Sequence, residues 1–309
     1  MVQTTLLRSI LAAIASVLLL VGGITMPLIS MPIAFVALGH SLRGAAIAAV
    51  ALFVLISVLI DPGFALAISL LFTLPSLWLA RLALLTTSSS DASANTAFKF
   101  YPLERLIVWA TAMAIFLSFA IFGQYADQPG GLPGVLIKLI EESPDLIPMI
   151  TLSSNIPDLS ESISVLVNIG LIWSTAIWGL SILSSLYIAQ LIAQWMQVNR
   201  RPAQTIKLAK FPQFMDFLLL ISLIASFFLK GWVAILAGSI TICLFMPYFL
   251  LGLSIIHAIS HRWNGRAFAL GCLYISILVL AWPILLVAAI GLLEPALRLR
   301  QRFSAKDKG

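Results

Sequence analysis

Two of the chain's three histidines, His257 and His261, stand four residues apart, a spacing that stacks them one above the other on a helix. Such a pair can supply two ligands to a metal ion, as in helices that carry H-E-x-x-H. Here Ala258, Ile259 and Ser260 intervene, so the general-base glutamate is missing, and the remaining histidine, His40, is remote in sequence. Two readings follow. In one, His261 lies at a membrane interface beside Arg262 and Trp263, His257 hydrogen-bonds inside a bundle, and no metal site exists. In the other, His257, His261 and Glu294 serve an intramembrane enzyme. Asp216 and Glu294 lie near the ends of apolar runs. An ionisable group within a bilayer is costly and points to function by default, but both sit near run ends, where interfacial water or a pairing of Glu294 with Arg298 would satisfy them.

Other chemistry is missing. There is no P-loop, no Gly-rich dinucleotide fingerprint, no C-x-x-C pair and no G-x-S-x-G. An ATPase or redox enzyme is not expected within this chain, and no cofactor is expected. Cys243 and Cys272 both lie inside apolar runs and read as small buried side chains, not as a disulfide framework.

The elements that would position these residues are membrane segments. Of 309 residues, 61% are hydrophobic and 10% charged, and the mean hydropathy is +1.07. Soluble domains carry about 25% charged residues. Stretches free of Asp, Glu, Lys and Arg run over 9–42, 44–60, 62–80, 106–126, 162–199, 217–229, 231–261 and 267–293. A crossing needs about 20 apolar residues, so the fold expected is an all-α polytopic bundle of about eight or nine membrane segments, a single integral membrane domain over 1–309. The N-terminal apolar stretch Ile10–Val21 reads as the first of these segments and not as a cleavable signal peptide. The net charge of +6 sits in short clusters between apolar runs and is explained by orientation in a bilayer, not by nucleic acid.

Three runs exceed one crossing. In 9–42, Gly22-Gly23, Pro27 and Pro32 predict a helix to about Ile24 and a second short helix from about Pro27 to Leu38. The run 162–199 contains no proline, and as one helix it would extend about 57 Å, a tilted helix projecting into water. In 231–261, Pro247 marks a candidate break. Asp61-Pro62-Gly63 predicts a tight turn. Gly44, Ala45, Ala48 and Ala49 put small residues on adjacent helical rows, allowing close backbone approach in lipid.

The loops 81–105, which includes SSSDASANT from Ser88 to Thr96, and 199–212 carry the cations and are expected in the cytoplasm; the acidic connection 124–161 is expected outside. Within that connection GVLIKLIEE reads either as a solvated loop with one helical turn or as an amphipathic patch on the membrane surface. The basic tail 298–309 is expected inside, which requires either a hairpin broken near Pro247 or a return at Pro283; a plain count of crossings puts it outside.

The pattern Met246-Pro247-Tyr248, Gly252-Leu253-Ser254-Ile255-Ile256-His257, Tyr274, and Gly291-Leu292-Leu293-Glu294 before Arg298-Leu299-Arg300-Gln301-Arg302 resembles the YybS-like family of uncharacterised bacterial membrane proteins. Met31-Pro32 before Gly39, and Leu74-Pro75-Ser76-Leu77-Trp78-Leu79-Ala80-Arg81-Leu82, agree with it. Where that family often carries Asp, this chain has Glu294. More distantly, the N-terminal half is similar to the substrate-binding S components of energy-coupling-factor vitamin transporters. The resemblance implies a multi-pass protein of the bacterial cytoplasmic membrane, not an enzyme, that binds a small ligand and relies on an energising partner module. The residues weighed for ligand binding are Asn168, Trp173, Trp178, Tyr248 and His257, as a polar group with an aromatic wall. Those weighed for partner docking are Ala12, Ser16, Gly44 and Ala48. Packing and an interfacial aromatic belt account for the same residues without a ligand. A structural or scaffolding protein of the cell envelope is the alternative function, with the lipid bilayer as its principal partner.

Overall fold

In lipid a chain must satisfy its backbone internally, which leaves helices as the economical solution for these apolar runs. The computed structural model describes residues 2–23, 25–88, 98–143, 159–202, 211–261, 263–280 and 282–297. Most of the Ser88–Thr96 loop, Asp145 and Asp158, residues 203–210 with Lys207 and Lys210, Arg262 and the tail 298–309 lie outside them.

The helices are α1 (Val2–Val21), α2 (Met31–Gly39), α3 (Leu42–Leu59), α4 (Pro62–Ile68), α5 (Leu74–Ala83), α6 (Leu103–Gly123), α7 (Gly131–Glu141), α8 (Leu159–Trp195), α9 (Gln213–Phe228), α10 (Trp232–Ser260), α11 (Arg266–Leu280) and α12 (Pro283–Leu297). The all-helical expectation is met apart from a short ribbon, in which Thr86–Ser88 pairs antiparallel with Phe98–Phe100. Six helical stretches are long and apolar enough to cross a membrane: Gln3–Val21, Leu42–Leu59, Pro62–Ala83, Leu103–Gly123, Glu161–Trp195 and Trp232–Ser260. The bent pair α11–α12 would make a seventh. The expected eight or nine is therefore not reached among the described residues, because two apolar runs give the shorter helical stretches Met26–Gly39 and Gln213–Phe228. Large apolar side chains such as Val58 (79% exposed), Phe116 (74%) and Leu278 (86%) face outward, as a lipid-facing surface requires.

The breaks fall largely where proline and glycine put them. α1 stops at Val21, and a 3₁₀ turn over Met26–Leu28 leads into α2 with Pro32 in its first turn. Asp61 caps α4, its Oδ2 accepting the Phe64 N–H at 2.8 Å, while Pro62 fills the first helical position, where no donor is needed. α10 runs unbroken through Pro247, so the hairpin considered there does not form. The break lies instead before Pro283, where α11 and α12 meet at a bend of 119°. The long run also ends short of its expected limit: α8 stops at Trp195, and Gln197 turns the chain with φ of 57°.

The chain divides into two compact units, Met1–Met113 with Trp178–Thr205, and Ala114–Ile177 with Ile206–Gly309. In the first, α2 packs on α1, α3 and α5 and is almost wholly buried. α1 and α3 approach closely at Gly44, whose carbonyl accepts the Ser9 hydroxyl at 2.8 Å; a Cβ there would meet Thr5 Cγ2 and Val36 Cγ1 at 3.2 Å.

In the second unit α10 is the central helix. Of its apolar stretch 56% is buried, against 22–39% for the other five. α7, within the acidic connection, is a three-turn helix anchored to α10 and not a single turn. Gly131 adopts φ of +63° against the Trp232 ring, which a Cβ would meet at 2.5 Å. The tightest seam joins α10 to α12. A Cβ on Gly252 would sit 1.9 Å from the Val287 carbonyl oxygen, and one on Gly291 would sit 2.0 Å from that of Tyr248. No side chain can occupy either point without separating the backbones. Gly291→Ala is expected to destabilise the protein by about 1–3 kcal/mol, seen as a lower melting temperature in detergent; melting unchanged from wild type would contradict the seam.

Candidate functional site

The second unit holds a chain of hydroxyls joining helices that sequence keeps far apart. Ser118 Oγ and Thr175 Oγ1 are 2.9 Å apart, Thr175 Oγ1 lies 3.3 Å from Cys243 Sγ, and Thr241 donates to Ser222 Oγ at 3.0 Å. Ser239 donates to the Leu171 carbonyl at 3.0 Å. These satisfied contacts glue α6, α8, α9 and α10 together in an environment that offers no water.

Two of the residues weighed for ligand binding have partners here. The Tyr248 hydroxyl donates to Asp216 Oδ1 in a short hydrogen bond, and the Phe211 ring meets Tyr248 edge-on at 5.7 Å. Asp216, in the first turn of α9, thus fixes a side chain otherwise read as part of an aromatic wall. His257 Nε2 lies 2.7 Å from the Tyr274 hydroxyl, while His261 is exposed. Among the described residues no group of three His, Cys, Asp or Glu is placed to hold a metal. Asn168 Oδ1 is buried with no hydrogen-bond partner, and Trp173 is half-buried. Among the described residues no hydrogen bond or ring contact joins Asn168 or Trp173 to Tyr248 or His257. Trp178 belongs to the first unit.

In the first unit Trp178 has a definite task. Its indole N–H donates to the Leu71 carbonyl at 2.8 Å. Leu71 lies in a π-helical stretch, Ser69–Thr73, between α4 and α5, and Pro75, four residues on, has no N–H to give it. The four residues weighed for docking, Ala12, Ser16, Gly44 and Ala48, are all buried, so their small size serves close packing within the chain.

Four hydroxyls of this unit differ from the rest. Ser57 and Thr111 donate to the carbonyl four residues before them, the usual way a helix absorbs such a group. Ser16, Ser30, Thr73 and Ser76 are at most 1% exposed, and their oxygens have no partner. Ser30 stands at the N-cap of α2 yet makes no capping bond. Counting along helices gives each an approximate depth. Arg8 Nη1 lies 3.4 Å from His40 Nδ1, so α1 and α2 are in register at that end. At 1.5 Å per residue Ser16 then lies about 12 Å above it, and Ser30 about 15 Å. α3 climbs from Ser41, and the chain descends from Pro62 to Thr73, which returns it to about 11 Å. Ser76, one turn lower, is nearest the His40 end. With α2 touching α1, α3 and α5, the four hydroxyls fall along the middle stretch of their helices, between about 6 and 15 Å from the His40 end.

Below that stretch the unit is basic. Arg201 is buried, donates from Nη2 to the Tyr101 carbonyl at 2.8 Å, and offers its own carbonyl to Gln190 and Asn199 at 2.7 and 3.0 Å. Burial lowers its pKa from the usual arginine value, though not enough to discharge a guanidinium. Sequence reading placed Arg201 in a basic cytoplasmic loop; nothing local marks it as an anchor. The Arg81 guanidinium lies 6.0 Å from the Trp78 ring centre, near enough for a cation–π contact.

Two outcomes follow. Tyr248→Phe and Asp216→Asn are each expected to cost about 1 kcal/mol and to be non-additive in a double-mutant cycle; additive losses would deny the bond. His40 has its pKa lowered by partial burial and then by Arg8. A depressed native pKa gives stability that is present above the ordinary value of 6.5 and is lost as pH falls through the native value. His40→Gln should flatten the decline in melting temperature below about pH 6.5, and an unchanged slope would remove His40 as its cause.

No family model, curated protein or solved structure matches this chain.

Proposed function

We propose that this protein is a multi-pass subunit of the bacterial cytoplasmic membrane that binds a small solute within its bundle and hands it to a transport cycle. The observation that carries the reading is the interrupted α1–α2 and α4–α5 pair, which bears four buried hydroxyls without partners. Transporters build their sites from such broken helices near the bilayer midplane, and an unsatisfied buried hydroxyl costs free energy that a ligand returns. The resemblance to YybS-like proteins and, more distantly, to S components points the same way. The chain has no P-loop, so transport draws on a partner module or an ion gradient. Arg81, Arg105, Arg200 and Arg201 support a cytoplasmic side for their loops by the positive-inside rule.

The test is a melting-temperature screen of the detergent-purified protein against metabolites and vitamins, followed by uptake into liposomes. At least one solute should raise the melting temperature saturably, and Ser30→Ala with Thr73→Val should abolish the rise. A screen in which nothing stabilises the wild type, with liposomes that take up nothing, would sink the reading and favour an envelope scaffold.

A further inference from the structure

The ends of α5 and α6 are held side by side. Thr86–Ser88, just after α5, pairs with Phe98–Phe100, just before α6, and the Tyr101 N–H donates to the Leu85 carbonyl at 2.9 Å. One helix leads into this ribbon and the other leads out of it, so they run in opposite directions. They meet at Trp78 and Trp109, whose rings stand edge-on with centres 6.1 Å apart. The Trp109 indole N–H donates to the Tyr101 hydroxyl at 3.1 Å, and the Tyr101 carbonyl accepts from Arg201. Tyr101 is thus fixed through its N–H, its carbonyl and its hydroxyl, and it fixes Trp109.

Both helices turn the same series of side chains outward. In α5 the exposed residues are Leu74, Trp78 and Arg81; in α6, as far as Met113, they are Arg105, Trp109 and Ala112. Spacings of three and four put each trio on one helix face. Counted along the helices from the ring contact, Arg81 lies about 4.5 Å and Arg105 about 6 Å toward the ribbon, while Leu74 and Ala112 lie about 6 and 4.5 Å the other way. From the ribbon onward, both helices therefore present a cation, a tryptophan and an apolar residue at matching heights. The Arg81 guanidinium stands 6.0 Å from the Trp78 ring centre, a contact that leaves its N–H donors for another group. Among the described residues neither arginine forms an ion pair. Glu104, the neighbouring acid, is half-buried and lies about 100° around α6 from Arg105.

The order of these groups separates the classes of ligand. Arginine pairs with phosphate through its planar fork of donors, tryptophan settles at the headgroup level of a bilayer, and exposed apolar groups beyond it lie against lipid tails. A soluble phosphate makes no use of the tryptophans or of Leu74. A zwitterionic phospholipid brings a cation of its own toward two arginines that have no carboxylate between them. A phospholipid with a phosphodiester and no amine matches both ends of the surface. We infer that Arg81 and Arg105, set in place by the Trp78–Trp109 pair, bind one anionic phospholipid, with its phosphodiester at the two guanidinium groups and an acyl chain along Trp78, Trp109 and Leu74. Basic sites at membrane-helix ends recognise anionic headgroups by the same electrostatics. This outward face is separate from the buried hydroxyls and needs no solute in the bundle.

The experiment uses the full chain in detergent, followed by native mass spectrometry as palmitoyl-oleoyl phosphatidylglycerol or phosphatidylcholine is added. Saturable retention of one phosphatidylglycerol is expected, about tenfold or more tighter than phosphatidylcholine, since each arginine adds about fivefold. Arg81→Gln/Arg105→Gln should bring the two lipids to parity, while Arg43→Gln, at an exposed arginine of α3, should keep the preference. The wild-type comparison of the two lipids stands without the variant, should the double variant fail to fold. Equal retention of both lipids by the wild type overturns the inference. So does a preference that survives in a folded double variant, or one that Arg43→Gln lowers as much, which is the behaviour of diffuse attraction to a basic surface. Inorganic phosphate that displaces phosphatidylglycerol at matched concentration overturns a lipid as the ligand.

Discussion

The controlling constraint is that a peptide group in hydrocarbon has to find its hydrogen bond inside the protein. Every interruption of a helix leaves N–H or C=O groups to be answered by something else. In this molecule the answers are specific. At Pro75 the missing donor for Leu71 comes from the Trp178 indole. At Asp61-Pro62 a carboxylate takes up an N–H of the next helix. Where α8 has ended, the Arg201 carbonyl collects Gln190 and Asn199, and its guanidinium reaches Tyr101. The polar side chains that matter are found at these breaks more than along the regular helices.

The same constraint explains why the two units use hydroxyls so differently. In the second, Ser118, Thr175, Thr241 and Ser222 are paired across helices, so they hold the bundle and have little left to offer a ligand. In the first, the broken helices withdraw Ser30 and Thr73 from the carbonyl ladder and leave them buried and unanswered. Two chemically similar sets of residues thus differ, one paired across helices and the other buried without partners.

Much of the architecture could be read from residue order, because proline, glycine and charge act locally. Gly22-Gly23 with Pro27 and Pro32 gave away the α1–α2 break, and Asp61-Pro62 the turn between α3 and α4. Pro247 misled, since a buried helix with close neighbours tolerates the proline and runs on. The π-helical stretch at Ser69–Thr73 has no sequence signature beyond Pro75, and its hydroxyl is what matters. The Tyr248–Asp216 bond spans 32 residues and depends on how α9 meets α10, which no local pattern encodes. Ser16 reads in sequence as a docking or packing residue, because a serine on an apolar helix looks the same whether its hydroxyl is satisfied or not.

The seam at Gly252 and Gly291 bears on how the polypeptide enters the bilayer. α12 is a 15-residue helix, too short to cross about 30 Å of hydrocarbon by itself. Its stable seat is the backbone of α10, met at two glycines. The segment therefore cannot settle in the lipid ahead of its groove: α10 has to be in position first, and the elbow at Pro283 lets the later-synthesised piece swing in against it. The order of translation and the order of assembly coincide, and a bulkier residue at either glycine would leave a finished α10 with its last companion stranded at the water interface.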